Sequence, residues 1–140
     1  MHCLTDYDIK ILMAFYESLM SDEKFTKYLY NNGFPELAAL SNAIHSDTNA
    51  LDWLLKESSF PEFGVLSNAI DNEENAIKWL EKYNCTFLST FAAACRKEDE
   101  AIKWFVDNDL KVFVLIIKRI HEILLFQSWD SSDMHKRRMS

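Results

Sequence analysis

Apolar residues recur along this chain at spacings of three and four, in short runs separated by polar clusters. Phe63, Leu66, Ala69 and Ile70 fall on one helical face. Asp71 and Asn72 then supply cap-type oxygens, and Glu73 and Glu74 place negative charge on the first turn of a second helix. Ala76, Ile77, Trp79, Leu80 and Tyr83 follow as its buried side. Ahead of the first run, Pro61 suits an opening helical position, where its missing N–H costs nothing, and Glu62 suits the positive helix end. Residues 60–84 therefore predict two helices joined by a short polar turn.

The same pattern precedes and follows. Phe34-Pro35-Glu36 recurs as Phe60-Pro61-Glu62, 26 residues on. At that displacement Leu40-Ser41-Asn42-Ala43-Ile44 returns as Leu66-Ser67-Asn68-Ala69-Ile70, Asn49-Ala50 as Asn75-Ala76, and Trp53-Leu54 as Trp79-Leu80. A further copy at a displacement of 25 keeps Ala94 and Ala101-Ile102-Lys103-Trp104-Phe105 but lacks the Phe-Pro-Glu opening. Upstream, Thr5 or Asp6 is placed to cap a helix through Ile9, Leu12, Phe15 and Leu19, and Ser21 or Asp22 to cap one through Phe25, Tyr28 and Leu29. Repeats of this length cannot bury their faces alone and stack into arrays. The expected fold is all-α: a right-handed α-α superhelix, or solenoid, of about four helical hairpins over residues 5–33, 34–59, 60–84 and 85–109. A closing, capping helix over 110–127 completes a single domain of residues 1–127, and 128–140 read as a polar, flexible tail.

The hairpin core resembles the helical part of ankyrin repeats, where an Ala in the inner helix precedes a polar turn and an outer helix of the type Ile-x-x-Leu-Leu. Here Leu40-x-x-Ala43 precedes Leu51-x-x-Leu54-Leu55, and Leu66-x-x-Ala69 precedes Ile77-x-x-Leu80. The likeness covers residues 34–106. The period is shorter than the 33 residues of ankyrin units, the Thr-Pro-Leu-His opening is lacking, and no room is left for a protruding β-hairpin. The resemblance implies a helical array that binds proteins.

Three groups of residues follow as candidates. Ala43, Trp53, Leu54, Ala69, Ile77, Trp79, Leu80, Ala101 and Trp104 recur at packing positions and are expected to form the repeat core, with the tryptophans buried or semi-buried. Ser41, Asn42, Ser67 and Asn68 sit mid-helix, either bonding the neighbouring unit as a ladder or lining a surface for a partner; Glu73, Glu74, Glu98 and Asp99 form an acidic edge that would steer a basic protein or peptide. The last helix is apolar over a wide stripe, and Val112, Phe113, Ile116, Ile120 and Ile123 are its candidate self-association face unless it packs deeply on the preceding unit.

Charge and chemistry narrow the reading further. The net charge is −7, and residues 34–110 hold fourteen acids against six bases, whereas 111–140 hold three against six. An acidic centre repels phosphate backbones, so nucleic acid is not the expected partner. Lys118, Arg119, His121 and Glu122 interrupt the most apolar stretch, so no membrane span is expected. Cys3, Cys85 and Cys95 are odd in number, and no leader-like segment opens the chain, which points to free thiols in a reducing cytoplasm. The scattered His2, His45, His121 and His135 show no metal-ligand spacing, and with two glycines a phosphate-cradling loop is excluded. No cofactor or catalytic group is expected. The function that remains is a non-catalytic protein-interaction module, a monomer or a homodimer, with a self-associating structural protein as the alternative.

Overall fold

The structure is a computed structural model that describes residues 1–139, with side chains through Trp129. Among the described residues it is all-helical. A 3-10 turn at Leu4–Asp6 precedes α1 (Ile9–Leu19), α2 (Glu23–Asn31), α3 (Pro35–Ile44), α4 (Thr48–Lys56), α5 (Pro61–Ile70), α6 (Glu74–Lys82), α7 (Thr86–Cys95), α8 (Asp99–Asp107) and α9 (Lys111–Met139).

The hairpin turns are built from one device repeated. Ser21, Ser46, Asn72 and Lys97 take left-handed backbone conformations, and an acid, Asp22, Asp47, Glu73 or Glu98, follows each as the next N-cap. After α3 the Ser46 N–H bonds Ala43 O and the Asp47 N–H bonds Asn42 O, at 2.9 and 3.0 Å. The same pair of bonds closes α5 and α7, and both are those of a Schellman motif. The residue that ends this motif is also the N-cap of the next helix. Asp47 and Glu73 turn their carboxylates onto two N–H groups of that helix, whereas Glu98 turns away to Arg96, 2.8 Å distant. The hairpins are therefore tight; Asp47 caps α4, and Glu73, in place of Asp71 or Asn72, caps α6. At the first helix the cap is Asp8, because residues 4–6 are taken up by the 3-10 turn.

Between hairpins Gly33, Asn84 and Asp109 take the left-handed region. At the remaining junction the Ser58 hydroxyl bonds Leu54 O and accepts from the Phe60 N–H instead.

Burial follows the repeat. Phe15, Leu40, Leu66, Phe91 and Ile116 occupy one position in α1, α3, α5, α7 and α9, and each is wholly buried. Leu29, Leu54, Leu80 and Phe105 occupy one position in α2, α4, α6 and α8 and are buried as completely. The odd-numbered helices thus form an inner layer and the even-numbered ones an outer layer. Inner helices touch in succession, and α9 also touches α1, so the layer closes on itself.

Four expectations change here. Trp53 and Trp79 are half-buried and packed against the core, as expected, but Trp104 is 42 % exposed; the neighbouring Leu54, Leu80 and Phe105 point fully inward. Ile77 and Ala101 are only partly buried for the same reason, while Ala43 and Ala69 lie in the core as expected. The closing helix does not merely cap the fourth hairpin. Phe113, Ile116, Ile120 and Ile123 are buried against the array and Val112 is half-buried, so this face is not presented to a second chain. Finally, α9 continues through residues 128–139, where a tail was expected, because neither Gly nor Pro interrupts the segment. The side chains of its basic run Lys136-Arg137-Arg138 lie outside the described residues.

Replacing Leu80 by Ala empties a closed core position and is expected to cost about 2–5 kcal/mol. Trp104→Ala, on an exposed site, is expected to cost less than about 1 kcal/mol. Urea unfolding of the two variants checks the order, and a larger loss for Trp104 would contradict the inward assignment.

Candidate functional site

The inner helices end at one rim. Each leaves carbonyl groups without a partner inside its own helix, and these need donors from elsewhere. Four residues, His45, Asp71, Arg96 and His121, recur every 25 or 26 positions at this rim. The His45 ring N–H donates to Leu19 O (3.1 Å), Arg96 to Ala69 O (2.6 Å) and the His121 ring N–H to Cys95 O (3.1 Å). Each reaches back to the preceding inner helix. Asp71 carries a carboxylate and cannot donate in its ionised form, and here Gln127 of α9 supplies the bond, to Ile44 O at 3.0 Å. Arg119 of α9 closes the circuit with a bond to Leu19 O at 3.0 Å and lies 3.4 Å from Glu122. Cationic groups at helix C-termini also complement the macrodipole.

The opposite ends of the inner helices carry a second row of polar contacts. Glu36 and Glu62, the acids of the two Phe-Pro-Glu sequences, are both buried. The Tyr7 hydroxyl donates to Glu36 at 2.7 Å, and His2 meets Glu62 through its ring nitrogen at 2.6 Å and its backbone N–H at 3.3 Å. Residues 1–7 therefore lie as a strap across the starts of α3 and α5, anchored by the buried Leu4. Burial, then Glu36, pushes the Tyr7 hydroxyl far above its usual range, so it remains a donor. At the matching place in the fourth hairpin Phe87 stands instead of Glu, edge-on to Phe105 and Phe113, and no polar anchor is needed.

A groove of about 350 Å³ opens between α2 and α4 with α3 as its floor. Ala38, Ala39 and Asn42 form the base, and Tyr30, Trp53 and Asp47 stand at the sides. At the next junction Leu55, the repeat counterpart of Tyr30, lies on Gly64, so closely that an added Cβ would sit 2.7 Å from its side chain. Tyr30 instead remains 67 % exposed. The first junction is open where the second is filled.

The structure divides the candidate contact residues. Asn42 and Asn68 are half-buried and make no side-chain hydrogen bond among the described residues; the ladder expected of them is made by His45, Arg96 and His121. Ser41 and Ser67 are buried, and the Ser41 hydroxyl has no partner. Neither serine reaches a surface, because both face the inner layer. Glu73 is held by its own helix, Glu74 pairs with Lys78 at 3.0 Å, Glu98 pairs with Arg96, and Asp99 is exposed. The acidic edge is thus a set of helix starts, already partly compensated. Sequence reasoning missed the rim residues, although the recurrence of His45 and His121 at the repeat interval marked them. Among the described residues no cluster of His, Cys, Asp and Glu is placed to hold a metal, and no helix is long and apolar enough to cross a membrane. Compared with known proteins, the chain matches no family model, no curated protein and no solved structure.

Ser41→Ala removes an unpaired buried hydroxyl at a position where the fourth hairpin already has Ala92. It is expected to stabilise the fold by about 1 kcal/mol, read from denaturant midpoints. His45 is pushed below its ordinary range by burial, with Arg119 adding to the effect and the Leu19 carbonyl opposing it. Its unfolded form takes up a proton more readily than its folded form, so stability should fall as pH drops below about 6.5 and level off once the folded form also titrates. His45→Gln keeps a donor and should flatten that fall; an unchanged profile would remove His45 as its source.

Proposed function

We propose that this chain is a non-catalytic protein-interaction module whose contact surface includes the α2–α4 groove. One observation carries the reading: the array leaves this junction unfilled, with the unpaired Asn42 amide on its floor and aromatic walls on either side. A small-residue base with Trp and Tyr at the flanks accepts an extended segment of another protein, the amide bonding its backbone. The acidic charge of residues 34–110 favours a basic segment. A cytoplasmic setting with free thiols fits this role, and burial raises the Cys95 thiol well above its ordinary range, which keeps it unreactive. The ankyrin-like hairpins support the same class of function by resemblance. A second reading, self-association, moves from the buried stripe of α9 to its exposed residues Leu125, Phe126 and Trp129.

Affinity capture from source-cell lysate, at low and moderate salt, tests the first reading. The bait should retain a partner that Asn42→Arg and Tyr30→Ala both lose, with both variants unchanged in helical content. A partner captured equally by the variants would remove the groove. A dimer in light scattering that Phe126→Glu dissolves would favour self-association.

A further inference from the structure

The array does not end with a complete unit. α9 begins as the inner helix of a fifth hairpin: Asp109 repeats the left-handed turn of Asn84, and Phe113, Ile116, Ile117 and Ile120 are buried at the repeat positions of Leu88, Phe91, Ala92 and Cys95. In each earlier hairpin the chain then turns through a left-handed residue and lays an outer helix back along the inner one. In α9 the position of Lys97 is taken by Glu122, which stays helical, and the chain runs straight on. No outer helix follows.

What remains is a groove of about 320 Å³, walled by Ile102 and Phe105 of α8 and by Val114 and Ile117 of α9. At the first junction Ala38 and Asn42, the repeat counterparts of Val114 and Lys118, face a groove whose far wall is α4, through Ala50 and Trp53. At the fifth that wall is missing. Lys97, Lys118 and His121 line the end of the groove, and its one lining acid, Glu122, is engaged by Arg119. This basic end lies where an outer helix would begin. The chain's own outer helices begin with acids, Asp47, Glu73 and Glu98, and Arg96, the repeat counterpart of His121, holds Glu98 at 2.8 Å.

We propose that this groove binds an amphipathic helix of another protein, docked as the missing outer helix of the fifth unit. The partner would carry an acidic N-terminal turn against Lys97, Lys118 and His121. Its apolar side would follow the pattern shared by α4, α6 and α8: Ala three residues after the acid, Leu or Ile next, then Trp and Leu or Phe after one intervening residue. Apolar contact supplies the affinity and the charged end the orientation. This inference rests on the reading of the chain as an interaction module and names a partner class for a second surface of it.

The probe is a fluorescein-labelled peptide of residues 71–84, which carries the α6 pattern, titrated with the full chain and followed by fluorescence polarisation. Saturable binding is expected, weakened about tenfold or more by Lys118→Glu or Val114→Arg. A peptide with Glu73 and Glu74 changed to Lys should weaken similarly. Lys118 is exposed, so its reversal leaves the core intact, and circular dichroism checks both variants. Absence of saturation at about 1 mM, or binding unaffected by either variant, would overturn the proposal. So would a dimer of the chain alone that Lys118→Glu dissolves, which would make a second copy the occupant. The Tyr30 and Asn42 variants report on the other groove, so this site can fail while the interaction reading stands.

Discussion

An α-helix ends in carbonyl groups with no partner inside it, and in this protein four such ends are gathered at one rim. Leaving those of Leu19, Ile44 and Cys95 unbonded in a partly buried layer would cost on the order of 1–3 kcal/mol each, while that of Ala69 also accepts from the Asn72 N–H. His45, Arg96 and His121 each reach back to the inner helix before their own, Gln127 of α9 takes the place that Asp71 leaves, and Arg119 adds a second bond to Leu19 O. The stacking of units and the path of the last helix are thus tied to one requirement. Burial of Phe15, Leu40, Leu66, Phe91 and Ile116 gives the inner layer its cohesion, and the rim bonds set its register.

Closure of that layer decides where contacts with other molecules lie. An open array offers a concave inner surface; here the apolar stripe of α9 and its Arg119 and Gln127 occupy the inner end of the rim. What stays accessible are the groove between α2 and α4 and the unfinished fifth unit. Both owe their shape to departures from the repeat: Tyr30 where the next unit has Leu55, and a helix that runs on where the others turn.

Much of the fold was legible because the repeat is a one-dimensional signal. Interval, turn acids and apolar faces fix hairpins locally, and hydrogen bonds across a few residues realise them. Leu54 and Leu80 were legible as core, whereas the exposure of Trp104 was not: the tryptophans recur as regularly as their neighbours, and recurrence does not say how deeply each of two adjacent side chains sits. The site was less legible. Its bonds join residues 26, 83 and 100 positions apart, from His45, Gln127 and Arg119, and the last two follow from the curvature of the whole array. The buried state of Glu36 and Glu62 was hidden for the same reason, since the strap that bonds them comes from residues 2 and 7.

Contact between α9 and α1 has a consequence for how such a chain can change in length. An open stack accepts one more unit or one fewer with little disturbance, because each unit meets only its neighbours. A closed layer has a circumference. Duplicating one hairpin here would carry α9 past α1, parting Arg119 from the end of the first helix and exposing the faces both now bury. The number of hairpins is therefore a property of the whole molecule, and insertions are expected to be tolerated in the turns and not as units.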